Sequence, residues 1–195
     1  MDVYSMDHQN INSGGQQHHL NEYINGFRMH AAVPWHTVED IFISVNIKEK
    51  HHWVLAVLSF SERCIFLYDS YESSGHYADV LDEIEKIAKI IPLCLQGCDF
   101  YIKKGIDLQK HPRYKDKDFS DKFDVLFEDD LPQQPSGSWD YGVFMVMYAE
   151  CLSYDHKVIP LSLTPTHFFQ DMPHFYGTMG FEKKKQMQLV MSNHP

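Results

Sequence analysis

The chain of 195 residues predicts a single domain in which helices pack on a β-sheet. Three observations point there. Apolar runs with strand character crowd between residues 41 and 68, and a polar turn separates the last two. From His76 to Ile91, apolar residues recur at helical spacing. Around residues 140–152 a second run is apolar almost all round, as in a helix buried in a core.

Taken in order, residues 1–19 are polar and without a period, with Asn12-Ser13-Gly14-Gly15-Gln16-Gln17 in the middle, and read as a flexible N-terminal arm. Residues 20–195 read as the one domain. Leu20, Tyr23, Ile24, Phe27 and Ala31 have helical spacing, but Gly26 predicts a short or irregular helix, and Val33-Pro34-Trp35 breaks the pattern. Ile41–Val45 is the first strand. His52–Phe60 is the second, its near-continuous apolar character predicting burial on both faces. Ser61-Glu62-Arg63 is a tight polar turn, so Cys64–Tyr68 is expected to pair antiparallel with it. In the helix from His76, the residues Tyr77, Val80, Leu81, Ile84, Ile87, Ala88 and Ile91 form the apolar face. Its acidic residues come first and its lysines last, as the helix dipole favours, and Pro92 is expected to end it. Residues 111–121 are a charged loop, Phe123–Phe127 a strand, Leu131–Ser138 a loop and Asp140–Leu152 a helix. Beyond Pro160 a last helix is expected over Thr166–Phe175, and Lys183-Lys184-Lys185 reads as a solvated face.

Composition narrows the function classes. A formal net charge of −10 repels phosphate backbones, so nucleic acid is not expected as a partner. The 13 histidines make that charge sensitive to pH. The longest apolar stretches, such as Trp53 to Leu58, are too short to cross a bilayer. Four cysteines without a Cys-x-x-Cys pair, and no secretory signal, predict free thiols in the nucleus or cytoplasm. Neighbouring histidines on a strand point to opposite faces, so His51-His52 does not predict a metal site, and no cofactor is expected.

The residues with chemistry fall into four motifs: His52-Trp53-Val54-Leu55, Tyr68-Asp69-Ser70, Pro132-Gln133-Gln134 and Asp140-Tyr141-Gly142-Val143-Phe144. A cysteine protease needs a thiolate beside an imidazole, an acceptor that orients the imidazole, and donors for the oxyanion. His52 opens one strand and Asp69 ends its neighbour, so a short hairpin can bring both to one end of the sheet. Gln133 or Gln134 lies on the loop into a buried helix, and Asp140 reads as the N-cap of that helix. Tyr141 stands at its start, where the dipole would stabilise a thiolate.

These motifs, with Ala149-Glu150 further on, resemble the ubiquitin-like-protein-specific cysteine proteases, the SUMO-deconjugating enzymes and their plant relatives, retroelement-borne copies included. The resemblance covers roughly Trp35 to Tyr176. It implies an α+β, papain-like fold with a mostly antiparallel central sheet packed against helices. It implies His52 as general base, Asp69 as orienting acid, Gln134 as oxyanion glutamine and Trp53 as a wall of the channel for a Gly-Gly tail. Three departures accompany it. The family's nucleophilic cysteine falls on Tyr141. The loop from Gln134 to Tyr141 is one residue longer than usual, with Trp139 as the extra residue, which leaves Gln133 and Gln134 both open as the oxyanion residue. The family's N-terminal Trp-Leu-x-Asp helix has no match, so an N-terminally truncated domain is expected.

Tyrosine is a poor substitute. Its pKa is about 10 against about 8.5 for cysteine, and its oxygen lies roughly 4 Å further from the backbone than a thiol sulfur, by bond lengths. The expectation is a catalytically silent, monomeric relative of these proteases whose partner is a SUMO-type modifier or its conjugates. Two alternatives stand beside it: a peptidase active through another arrangement, and a degenerate copy of a mobile-element protease.

Overall fold

The computed structural model describes residues 20–27, 33–47, 52–71, 76–135, 140–156, 158 and 189–192. The expected arm at 1–19, the helix at 166–175, the lysines at 183–185 and Trp139 lie outside them.

Helix α1 is described over 20–24. It ends at Gly26, whose φ of 75° is left-handed. Gly26 N–H bonds the Tyr23 carbonyl and Phe27 N–H the Glu22 carbonyl, a pairing that satisfies the last carbonyls of the helix. A Cβ on Gly26 would also stand 2.8 Å from the Pro34 nitrogen. Trp35–Thr37 form a 3₁₀ turn that buries Trp35 completely.

Five strands build one sheet in the order β4-β3-β2-β1-β5. They are β1 (Asp40–Ile47), β2 (His52–Ser59), β3 (Cys64–Tyr68), β4 (Asp124–Phe127) and β5 (Leu189–Ser192). The three inner strands pair antiparallel, as the hairpin reading requires. Both edge pairs, β3 with β4 and β1 with β5, are parallel. The expected β2–β3 hairpin is present, but its turn is not wholly solvated. Arg63 has a φ of 52° and is 1% exposed. Its Nη1 and Nη2 donate to the carbonyls of Lys122 and Asp121 at 3.1 and 2.6 Å, and its guanidinium lies over Phe123 and Tyr114. This arginine pins the charged loop to the hairpin, so a residue that reads as surface from its type is interior.

Helix α2 (His76–Gly97) runs past Pro92 instead of ending there. Proline costs a helix one hydrogen bond, to the carbonyl four residues earlier. That carbonyl, of Ala88, is bonded by Phe123 N–H at 3.1 Å instead. The buried stripe Val80, Ile84, Ala88, Ile91 therefore continues through Leu95, while Tyr77 and Leu81, expected on it, are exposed. Lys86 and Lys89 consequently sit in mid-helix. They pair with Asp82, Glu83 and Glu85 three or four residues earlier, with no basic residue in the last turn. Helix α3 (Phe100–Lys104) follows a left-handed Asp99 and was not foreseen.

Helix α4 (Tyr141–Ser153) lies on the other face of the sheet. Phe144, Met147, Tyr148 and Ala149 are buried, against Phe42, Leu55 and Val57. Val146 is half exposed, so the helix buries one side and not its whole circumference. Asp140 holds the N-cap position, but its side chain makes no capping bond. The opposite face of β1, β2 and β3 packs on α2 through Ile43, Val45, Val54, Ala56, Ile65 and Leu67. The two cores make β2 a strand covered on both sides.

All four cysteines are unpaired thiols. Burial, with Asp124 and Glu62 adding to it, pushes the Cys64 thiol up to about 11, and burial pushes Cys94 to about 11 and the Tyr101 phenol to about 12. A group whose folded value is raised stabilises the fold below its unfolded value, and that stability is lost as pH rises through the folded value. In urea unfolding under reducing conditions, the contribution of Cys64 and Cys94 is therefore expected to be constant up to about pH 8 and to fall by roughly 2 kcal/mol for each by pH 11. A flat profile to pH 11 would contradict the burial of these thiols.

Candidate active site

The hairpin register aligns Leu55 of β2 with Tyr68 of β3, which brings His52 and Asp69 to the same end of the sheet. Their side chains meet: His52 Nε2 lies 2.7 Å from Asp69 Oδ1, and both residues are buried. The same Oδ1 accepts the Tyr71 N–H at 3.0 Å, closing a local turn that fixes the carboxylate. An aspartate beside Nε2 orients the imidazole ring and favours the tautomer with the proton on Nε2.

Tyr141 is the first residue of α4. Its ring meets the His52 ring edge-on, with centroids 5.5 Å apart and planes at 72°, and the Tyr71 ring flanks the imidazole at 5.8 Å. The sheet and the helix thus place an imidazole, a carboxylate and the start of a helix together, with a half-buried phenol ring beside the imidazole.

The glutamine loop is tied to the same corner. Gln134 N–H donates to the Ser70 carbonyl at 2.9 Å, and Ser70 Oγ donates to Gln134 Oε1 at 3.1 Å. Gln133 turns the other way: its Nε2 donates to the carbonyls of Asp69 and Leu131, both at 3.3 Å. The two glutamines are chemically identical in sequence but differ in what their amide donors do. Gln133 spends its donors on backbone, whereas Gln134 is held by its oxygen. The Tyr148 hydroxyl, two helical turns below Tyr141, donates to the Pro132 carbonyl and anchors this loop to α4.

Trp53 follows His52 in β2 and pairs across with Asn46 of β1. It is half buried. Ser70, Tyr71 and Tyr148 were not singled out from sequence. Ser70 lay within the Tyr68-Asp69-Ser70 motif, whereas Tyr148 carried no signal beyond its place seven residues after Tyr141.

Cys64, Cys94 and Cys151 lack the environment that favours a thiolate. Burial raises Cys64 and Cys94 as above, and raises Cys151 as well. Cys151 also lies ten residues along α4 from Tyr141, about 15 Å at the rise of a helix. A low-pKa nucleophile needs the reverse environment. Among the described residues, no group of three or more His, Cys, Asp or Glu is placed to hold a metal.

A helix that starts against a His–Asp pair at the end of an antiparallel hairpin is the arrangement of a papain-like cysteine protease fold, of α+β class. The model of the Ulp1 protease family, C-terminal catalytic domain, matches residues 4–176, and the chain belongs to that family. The match begins further upstream than Trp35, where the motifs alone start. Comparison with the curated proteins gives no match. Among solved structures, the SUMO protease Ulp1 with its catalytic cysteine oxidised to a sulfonic acid is similar at 19% identity and a TM-score of 0.46, over 80% of this chain and 58% of that one. The C-terminal Ulp1 protease domain in complex with SMT3, the yeast orthologue of SUMO, is similar at 22% identity and a TM-score of 0.36, over 62% of this chain and 43% of that one. The chain thus spans less than two thirds of the length of these solved chains.

Proposed function

We propose that this chain is a catalytically silent member of the Ulp1 protease family that binds a ubiquitin-like modifier of SUMO type, free or conjugated. The observation that carries the reading is the Tyr141 ring standing edge-on against a buried His52–Asp69 pair at the start of α4. His52 is the former general base and Asp69 its orienting acid. Gln134 is the oxyanion donor, because its amide nitrogen is not committed to the carbonyls that hold Gln133. Tyr141 occupies the nucleophile's place and blocks the cleft with a ring too long and too weakly acidic to serve as a thiolate. Trp53 walls the channel for the modifier's tail.

Two readings of one titration test this. A labelled SUMO-type modifier added to the full chain is expected to bind with micromolar affinity by fluorescence anisotropy. The same modifier carrying a C-terminal fluorophore is expected to remain uncut, with release at the buffer rate. Hydrolysis that survives Tyr141→Phe and requires His52 would overturn the loss of catalysis. Absence of saturable binding would overturn the binding role.

A further inference from the structure

We propose that Ser70 and Tyr148 are positioning residues that together hold the Gln134 carboxamide at the cleft: Ser70 fixes the side chain and Tyr148 fixes the loop that carries it. The proposal rests on the reading of Gln134 as the oxyanion donor.

A glutamine side chain has several rotatable bonds and is ordered only by what its amide touches. Here the oxygen end is held by Ser70 Oγ at 3.1 Å, from a serine that is 2% exposed, so water does not compete freely for that hydroxyl. Holding the oxygen leaves the two N–H donors of Nε2 as the end available to an oxyanion. The main chain is fixed at the same point, since Gln134 N–H donates to the Ser70 carbonyl. Ser70 therefore grips Gln134 twice, once through each of its own oxygens.

Tyr148 sets the other end of the loop. It is fully buried, and its hydroxyl donates to the carbonyl of Pro132, two residues before Gln134. Burial, with the Asp69 charge adding to it, raises its phenol far above the ordinary value, which keeps the hydroxyl a donor at neutral and mildly alkaline pH. Its ring packs on Tyr68 and Phe144, at 6.2 Å from each, so both the strand that leads to Asp69 and the helix that starts at Tyr141 hold it in place. Because Tyr141 and Tyr148 share one helix, a loop anchored to Tyr148 keeps a set distance from residue 141. Neither Ser70 nor Tyr148 touches the reacting atoms, and both act through Gln134.

The test has two arms. In the ¹⁵N-labelled full chain, the Gln134 side-chain amide pair is expected to be shifted from free-glutamine positions. In Ser70→Ala it moves to those positions, while in Tyr148→Phe the Gln134 main-chain N–H exchanges about tenfold faster or more, as local opening becomes easier. In the Tyr141→Cys background, each change is expected to lower kcat by about 10- to 100-fold with KM within about twofold, the pattern of a lost oxyanion contact. An unmoved Gln134 amide pair in Ser70→Ala, or a loss confined to KM, would overturn the proposal. If Tyr141→Cys hydrolyses nothing, the defect lies in the loop between Gln134 and residue 141 and the reading of Gln134 as oxyanion donor falls, while the amide arm still decides whether the brace exists. Ser70→Ala removes one oxygen and leaves the main-chain bond to Gln134, so it decides that arm even if Tyr148→Phe fails to fold.

Discussion

If the chain is silent as proposed, Tyr141→Cys is expected to convert it into a hydrolase of a SUMO-type modifier carrying a C-terminal fluorophore, with a rate on the order of 10³-fold above the parent. The substitution shortens the side chain by roughly 4 Å, which removes the ring now packed on His52 at 5.5 Å and puts a sulfur within the space it filled. The new thiol stands at the first residue of α4, where the helix dipole favours an anion, beside an imidazole already paired to a carboxylate at 2.7 Å. On the proposed reading, Gln134 and the N–H groups of the first helical turn would supply the oxyanion donors. The gain must vanish in the double variant with His52→Ala, since a thiol without its base has little thiolate character at neutral pH. A Tyr141→Cys variant that folds and binds the modifier but does not hydrolyse it would place the defect in the loop between Gln134 and residue 141.

Asp69→Ala is expected to destabilise the fold by about 3 kcal/mol in urea, the cost of breaking a buried pair by removing one member, and to lower Tm by roughly 6–12 °C. The size follows from what Oδ1 does. It accepts from His52 Nε2 at 2.7 Å and from Tyr71 N–H at 3.0 Å, and both His52 and Asp69 are buried. Alanine leaves two donors without that acceptor. Asp69→Asn retains an oxygen for both and is expected to cost less than about 1 kcal/mol. Equal losses for the two variants, or a loss under 1 kcal/mol for alanine, would show that the His52–Asp69 contact contributes little to folding.

The parts of this structure that were legible in the sequence are those fixed by short-range chemistry. Ser61-Glu62-Arg63 forces a hairpin, the hairpin sets the register of β2 on β3, and the register delivers His52 to Asp69. The parts that were not legible depend on partners distant along the chain. Pro92 reads as a helix end because the N–H that takes over the Ala88 carbonyl belongs to Phe123. Arg63 reads as surface because the carbonyls that bury it belong to Asp121 and Lys122. Strand β5 is a run of four residues whose parallel partner is β1, and nothing in Leu189-Val190-Met191-Ser192 announces the pairing. Gln133 and Gln134 could not be separated by type or spacing, only by the groups their amides meet.

The most direct measurement is labelling with a modifier whose C-terminus carries a thiol-reactive electrophile, followed by mass mapping of the adduct. The parent chain is expected to form no adduct under reducing conditions, and Tyr141→Cys to form one at residue 141 that requires His52. An adduct on Cys64, Cys94, Cys98 or Cys151 of the parent, mapped to a specific and modifier-dependent site, would show that catalysis moved to another thiol and was not lost.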